Sequence, residues 1–263
     1  MFLTEKEILD TPVALDLTCK YFEENAEKIE AFFAANPQRK FTIMGCGSSY
    51  MLSKSAAALL ASYPETTANA IPAGDYIADP VSWQETVRGS IVLMLSRSGR
   101  TSEMVWAAQK IKELLNCPII SINAENDNDI TPMSDLELSM PWCHDNSVCQ
   151  TRTVTNLYAA SLLLAAKYAK DETLWKSVFA AAANNEAFQK KYRPVLEEIA
   201  VRGWENAVVL ADGPVCGIAE EGALAFTEIA MLTGRYFHLL DYRHGPIVIS
   251  GEKTITVMLL RPG

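Results

Sequence analysis

The 263-residue chain has only three histidines, and its six cysteines form no Cys-x-x-Cys pair. No His, Cys and Asp fall at metal-ligand spacing either, so a structural zinc site is not expected. Scattered thiols also argue for a reducing cytoplasm and against a disulfide frame. Positive charge is scarce: 23 Lys and Arg against 32 Asp and Glu give a net charge of −9. A general nucleic-acid binder would carry a basic face, so none is expected here. The longest apolar stretch, Leu157 to Ala166, is broken by Ser161 and is too short to cross a bilayer. The opening "MFLTEKEILD" has no basic segment followed by an apolar core, so no secretory signal is expected. Two nucleotide signatures are missing as well. Tyr50 stands where Gly-x-Gly-x-x-Gly needs its third glycine, and there is no P-loop lysine. The expectation is a cytoplasmic protein with no membrane, nucleic-acid, metal or cofactor partner.

What is present is a regular alternation. Apolar residues at helical spacing occupy 13–36, and "ANPQRK" then breaks the pattern. "FTIMG" (41–45) reads as a buried strand and 48–62 as an Ala- and Leu-rich helix. "TTANAIPA", "SIVLMLS" (90–96), "CPIISIN" (117–123) and "LELSMP" (136–141) read as further strands, with a helix over 102–115. Strand and helix repeated in this way predict an α/β fold: a parallel sheet covered by helices on both faces. Residues 150–202 read as almost continuous helix.

At "NAVVLADGPVCGIAEEGALAF" (206–226) the order strand, glycine-containing turn, helix begins again, and "RYFHLL" and "TITVMLL" supply two more strands. This predicts two related doubly wound units: an N-terminal helical segment over 1–36, a first unit over 37–203 and a second over 204–263. The second ends on a strand with no covering helix, so a further C-terminal segment is expected.

Two turns fit the place where a parallel sheet binds ligands, at the carboxyl ends of its strands. "GCGSSY" follows the strand 41–45 and places Ser48 and Ser49 at a helix start. "SRSGRTSE" follows 90–96 and places Thr101 and Ser102 at the next. Free helix-terminal amides, the helix dipole and short hydroxyls make an anion site. One such loop is also what ordinary helix capping produces. Two on neighbouring strands, with more hydroxyls than capping needs, point to a small phosphorylated ligand.

"GCGSS", "LSRSGRTSE" and "EEGALAFTEIA…YRHGP" resemble the sugar isomerase (SIS) family, in particular its AgaS-type isomerases and deaminases and the isomerase half of glucosamine-6-phosphate synthase. The resemblance runs from about residue 37 onward and implies tandem SIS units. It implies phosphate contacts from Ser96, Arg97, Ser98 and Thr101, and sugar contacts from Cys46, Gly47, Ser48 and Ser49. It also implies a pocket lined by Val148 and Gln150. It further implies Glu228 as the residue that moves a proton between C1 and C2, and His244 as the ring-opening group. In the family that histidine reaches the neighbouring subunit, so a homodimer is implied. These residue types suit the chemistry: one carboxylate over both carbons can take and return a proton through an enediol, and an imidazole exchanges protons near neutral pH.

The alternative for Glu228 is an exposed helix acid, which its apolar neighbours in "ALAFTEIAML" disfavour. The alternative for His244 is a loop histidine held by Gly245 and Pro246. His238 reads as a strand residue and His144 as a loop residue. Arg97 is the better candidate for phosphate than Arg100, since either could be a solvated loop charge. The amide-using synthase carries a lysine three residues before its catalytic glutamate; here that residue is Ala225, so glutamine-dependent synthesis is not expected. The expected activity is isomerisation or deamination of a hexose or hexosamine 6-phosphate. The alternatives are a deglycase of fructosamine 6-phosphates and a non-catalytic sugar-phosphate sensor.

Overall fold

A computed structural model of the protein describes residues 2–260. The chain opens on helices α1 (Leu3–Glu24) and α2 (Ala26–Ala35), then enters the strand β1 (Lys40–Gly45). Next come α3 (Ser48–Leu60), β2 (Thr67–Pro72), α4 (Ala73–Ala78), α5 (Pro80–Val87), β3 (Ile91–Ser96), α6 (Ser102–Leu114), β4 (Ile119–Asn123) and β5 (Leu136–Ser139). These strands form one all-parallel sheet of order β2-β1-β3-β4-β5. Its apolar strands divide by period two. Along β3, Ile91, Leu93 and Leu95 face a core with Phe22, Leu52 and Leu157, while Val92 and Met94 face Met104 and Ile111. Both faces are therefore buried, and helices cover each.

The expected strands are all present. The helical reading of the first residues starts too late: α1 begins at Leu3 and runs through Pro12. Proline has no N–H for the carbonyl four residues earlier and ordinarily breaks a helix. Here the freed carbonyl of Ile8 accepts the side-chain amide of Gln189, at 3.0 Å. The short helices α4 and α5 were absent from the sequence reading. Asp79 caps α5 by accepting the Ser82 N–H, and Pro80 begins it.

Two long helices, α7 (Arg152–Ala169) and α8 (Glu172–Ala200), lead to a second, smaller sheet. It holds β6 (Asn206–Ala211), β7 (Thr233–His238) and β8 (Thr254–Leu259), parallel and in the order β7-β6-β8. His238 ends β7, as the sequence predicts. The helix α9 (Cys216–Glu228) connects β6 to β7 and packs on α3. The approach is close: a Cβ on Gly217 would lie 2.0 Å from the Met51 carbonyl oxygen. No helix among the described residues is long and apolar enough to cross a membrane.

Candidate active site

In the first sheet the chain leaves β1 toward β2 on one side, and β3 leads to β4 on the other. The carboxyl ends of β1 and β3 flank this switch point, where an open parallel sheet leaves a crevice. A cavity of about 90 Å³ lies there. The loop after β1 contributes Cys46 and Ser49; the loop after β3 contributes Ser96, Arg97, Ser98 and Thr101. Gln150 closes it from the loop that precedes α7. Seven of the ten proposed binding residues thus meet around one small polar space.

Local geometry explains the convergence. The Ser96 hydroxyl accepts the Gly99 N–H at 3.0 Å and the Ser98 hydroxyl accepts the Arg100 N–H at 3.1 Å, which curls the loop tightly. Gly99 has a φ of +60°, and a Cβ there would collide with the Asn128 side chain at 2.3 Å. Thr101 then occupies the cap position of α6 without capping it through its side chain. Its hydroxyl and the first amides of α6 are free for an anion. Gly47, with a φ of +54°, plays the same turn at the head of α3. The Cys46 thiol is pushed up to about 11, chiefly by burial and then by the charge of Glu103, so it is a neutral wall of the site. The side-chain oxygen of Gln150 is buried without a partner.

The arginines are less free than the sequence alone allows. Arg97 lines the cavity, yet its Nη1 donates to the carbonyls of Ser147, at 3.0 Å, and Val148, at 3.3 Å. Arg100 turns away to pair with Glu125 and the Asp127 carbonyl, and Glu125 also lies 3.4 Å from His144.

Other predicted residues fall outside the cavity. Val148 is 91% exposed at its rim. Ser48 is buried at the head of α3 and meets α9 instead. Glu228, the last residue of α9, is exposed despite its apolar neighbours. It remains close to the site: its carbonyl lies 3.6 Å from the Cys149 sulfur, and that thiol feels both the Glu228 charge and the opposing charge of Arg97. His244 lies exposed on a loop of the smaller sheet and does not line the cavity.

Two acids were not among the predicted site residues. Glu221, on α9, is 5% exposed, and its Oε2 is buried with no partner. Burial pushes its carboxyl up to about 7; the Ser48 hydroxyl opposes this and the Glu228 charge adds to it. Glu7, on α1, is also buried. Neither carries a signal in the sequence, since only packing distinguishes Glu221 from its neighbour Glu220, which pairs with Lys54 at 2.6 Å.

Residues 36–167 match the SIS domain family. The match supplies one SIS domain and stops short of the three-stranded sheet, so the expected tandem pair is not confirmed: from Asn206 onward the described residues form three strands, one α-helix and three short 3-10 turns. Among curated proteins, the chain is 25% identical over 232 residues to the D-galactosamine-6-phosphate deaminase AgaS of Escherichia coli, which covers 84% of this chain and 59% of that protein. The chain thus spans under two thirds of that relative's length. Among solved structures it resembles glucosamine-6-phosphate deaminase from Thermotoga maritima, with a TM-score of 0.82 and 26% identity over 98% of this chain and 76% of that one. It also shares the fold of tagatose-6-phosphate ketose/aldose isomerase from Escherichia coli, with a TM-score of 0.85 and 20% identity over 98% and 73% of the two chains.

Proposed function

The chain belongs to the SIS domain family, and on that premise we propose that it is a phosphosugar isomerase or deaminase acting on a hexose or hexosamine 6-phosphate. The observation that carries this reading is the convergence of Ser49, Ser96, Ser98 and Thr101 on one cavity at the head of α6. Hydroxyls and helix amides form a cradle for a phosphate dianion, and the sugar extends from it toward Val148 and Glu228. The similarity to the galactosamine-6-phosphate and glucosamine-6-phosphate deaminases supports the same substrate class.

In this reading the phosphate fixes the distance from the anchor to C1 and C2. Glu228 takes the proton from one carbon and returns it to the other through an enediol, or an enediolamine for an amino sugar. His244 exchanges protons with the ring oxygen and the C1 hydroxyl during ring opening. Both residues are exposed here, beside the exposed apolar side chains of Ile229, Met231, Ile247 and Val248. That surface suits a homodimer in which the partner copy brings its histidine to the site. Residues 204–263 are read as a second unit related to 37–203, with 1–36 as a helical preface and the cytoplasm as the compartment.

The test is a product assay with fructose 6-phosphate, glucosamine 6-phosphate and fructoselysine 6-phosphate, run on wild type, Glu228→Gln and His244→Ala. Turnover of one substrate that both substitutions abolish supports the reading and names the branch. Recovery of activity on mixing the two inactive variants supports the shared site. If no substrate turns over while sugar phosphates still raise the melting temperature, the chain is a binding protein.

A further inference from the structure

Glu7 lies on α1, outside the matched domain and away from the cavity lining. It is nevertheless only 3% exposed. Its Oε1 accepts the N–H groups of Asn146, at 2.6 Å, and Ser147, at 3.2 Å, and its Oε2 accepts the Ser147 hydroxyl. Burial alone would push its carboxyl up; these three donors outweigh it and hold the group below its ordinary value. A carboxylate taken out of water in this way is costly unless fully partnered, and every partner belongs to one loop.

That loop, residues 144–151, carries Val148 and Gln150. Its ends are fixed by Asp145, which accepts the N–H groups of Thr151, at 2.6 Å, and Thr153, at 2.9 Å. The crest at 146–148 is held by Glu7 on one side and by Arg97 on the other. Glu7 is not needed to dock α1. Thr18 donates to Asn156 at 2.6 Å, Gln189 holds the Ile8 carbonyl, Arg193 pairs with Glu5 at 2.6 Å, and Leu15 and Phe22 enter the core. What Glu7 adds is control of the loop.

We propose that Glu7 is a positioning residue for the sugar-phosphate site: its carboxylate fixes the crest of the 144–151 loop so that Arg97 and Gln150 stand aligned at the cavity. The proposal rests on the functional reading above. In the ligand-free protein, without Glu7, the crest is loose and must be ordered on binding, so substrate affinity falls while the proton-transfer step is untouched.

The experiment compares Glu7→Ala, Glu7→Gln and, as a control on the same helix, Glu5→Gln. Amide hydrogen exchange at 146 and 147 is read without ligand, and kcat and KM are read with whichever of fructose 6-phosphate and glucosamine 6-phosphate turns over. In Glu7→Ala, exchange at both amides and KM each rise about tenfold or more, the loss of a charge-assisted cluster, while kcat stays within about threefold. Glu7→Gln restores both, because its amide oxygen accepts the two N–H groups and its NH₂ donates to Ser147. Unchanged exchange and KM in Glu7→Ala, or losses that Glu5→Gln reproduces, overturn the proposal, since docking of α1 would then explain everything. If wild type turns over neither substrate, the functional reading has failed, and the exchange rates with the binding of inorganic phosphate decide for Glu7 on their own.

Discussion

Replacing Glu221 by glutamine should stabilise the protein at alkaline pH and leave it nearly unchanged in acid. The folded chain holds the Glu221 proton up to about pH 7, against 4.5 for the group free in water. Between these values the folded state binds more protons than the unfolded one, so stability falls as pH rises through the window. At 1.36 kcal/mol for each pH unit of displacement, ionised Glu221 costs about 3 kcal/mol once the pH exceeds 7. Glutamine keeps the size and the hydrogen-bonding pattern of the protonated acid and never ionises. Urea unfolding of wild type and Glu221→Gln, followed by tryptophan fluorescence at pH 5 and pH 8, reads the difference. The variant should stand less than about 1 kcal/mol above wild type at pH 5 and gain up to about 3 kcal/mol at pH 8. Glu228→Gln alone, with Glu221 kept, removes one source of the displacement and should move the pH at which stability falls toward acid. A variant whose advantage is the same at both pH values refutes the reasoning, because Glu221 would then ionise as an ordinary surface acid does.

Two further outcomes follow from close contacts. Gly217→Ala forces a methyl group against the Met51 carbonyl, which backbone cannot easily yield; overpacking of this kind costs about 1–3 kcal/mol, measured by thermal or urea unfolding, and a neutral result would mean that α3 and α9 slide apart freely. Cys46, with its thiol held near 11, should react with iodoacetamide at pH 8 far more slowly than a free cysteine, and slower still with fructose 6-phosphate bound; mass spectrometry of the labelled peptide checks both.

The first sheet is legible in the sequence because its central strands β1, β3 and β4 are buried on both faces. Runs such as Ile91–Leu95 are then apolar without alternation, and those of β1 and β3 end in glycine- and serine-rich turns. Position along the chain was enough to put two hydroxyl loops on adjacent strands. What was not legible depends on partners far away in sequence. The sequence places the first helix from 13, whereas α1 runs on through Pro12, and the Ile8 carbonyl that the proline frees is taken by Gln189, 181 positions beyond Ile8. The short helices α4 and α5 are too brief for periodicity to show, with Pro80 and Gly74 inside them. Arg97 reads as a free phosphate ligand until the carbonyls fifty positions on occupy one of its nitrogens. The apolar neighbours of Glu228 suggest shelter, whereas the residue stands exposed at the end of α9.

The attachment of α1 also bears on how the molecule folds. Its distant polar partners stand 124 to 188 positions downstream: Trp142 and Asn156 for Thr18, Asn146 and Ser147 for Glu7, Arg152 for Asp10, Gln189 for Ile8, Arg193 for Glu5. During synthesis the helix therefore leaves the ribosome well before any of these residues exist. Such distant closures carry a high entropic cost and come late. Until they form, the apolar stripe of α1 is exposed and prone to wrong association. The helix that precedes the sheet in sequence is thus among the last to be seated, and the 144–151 loop acquires its Glu7 contacts only at that step.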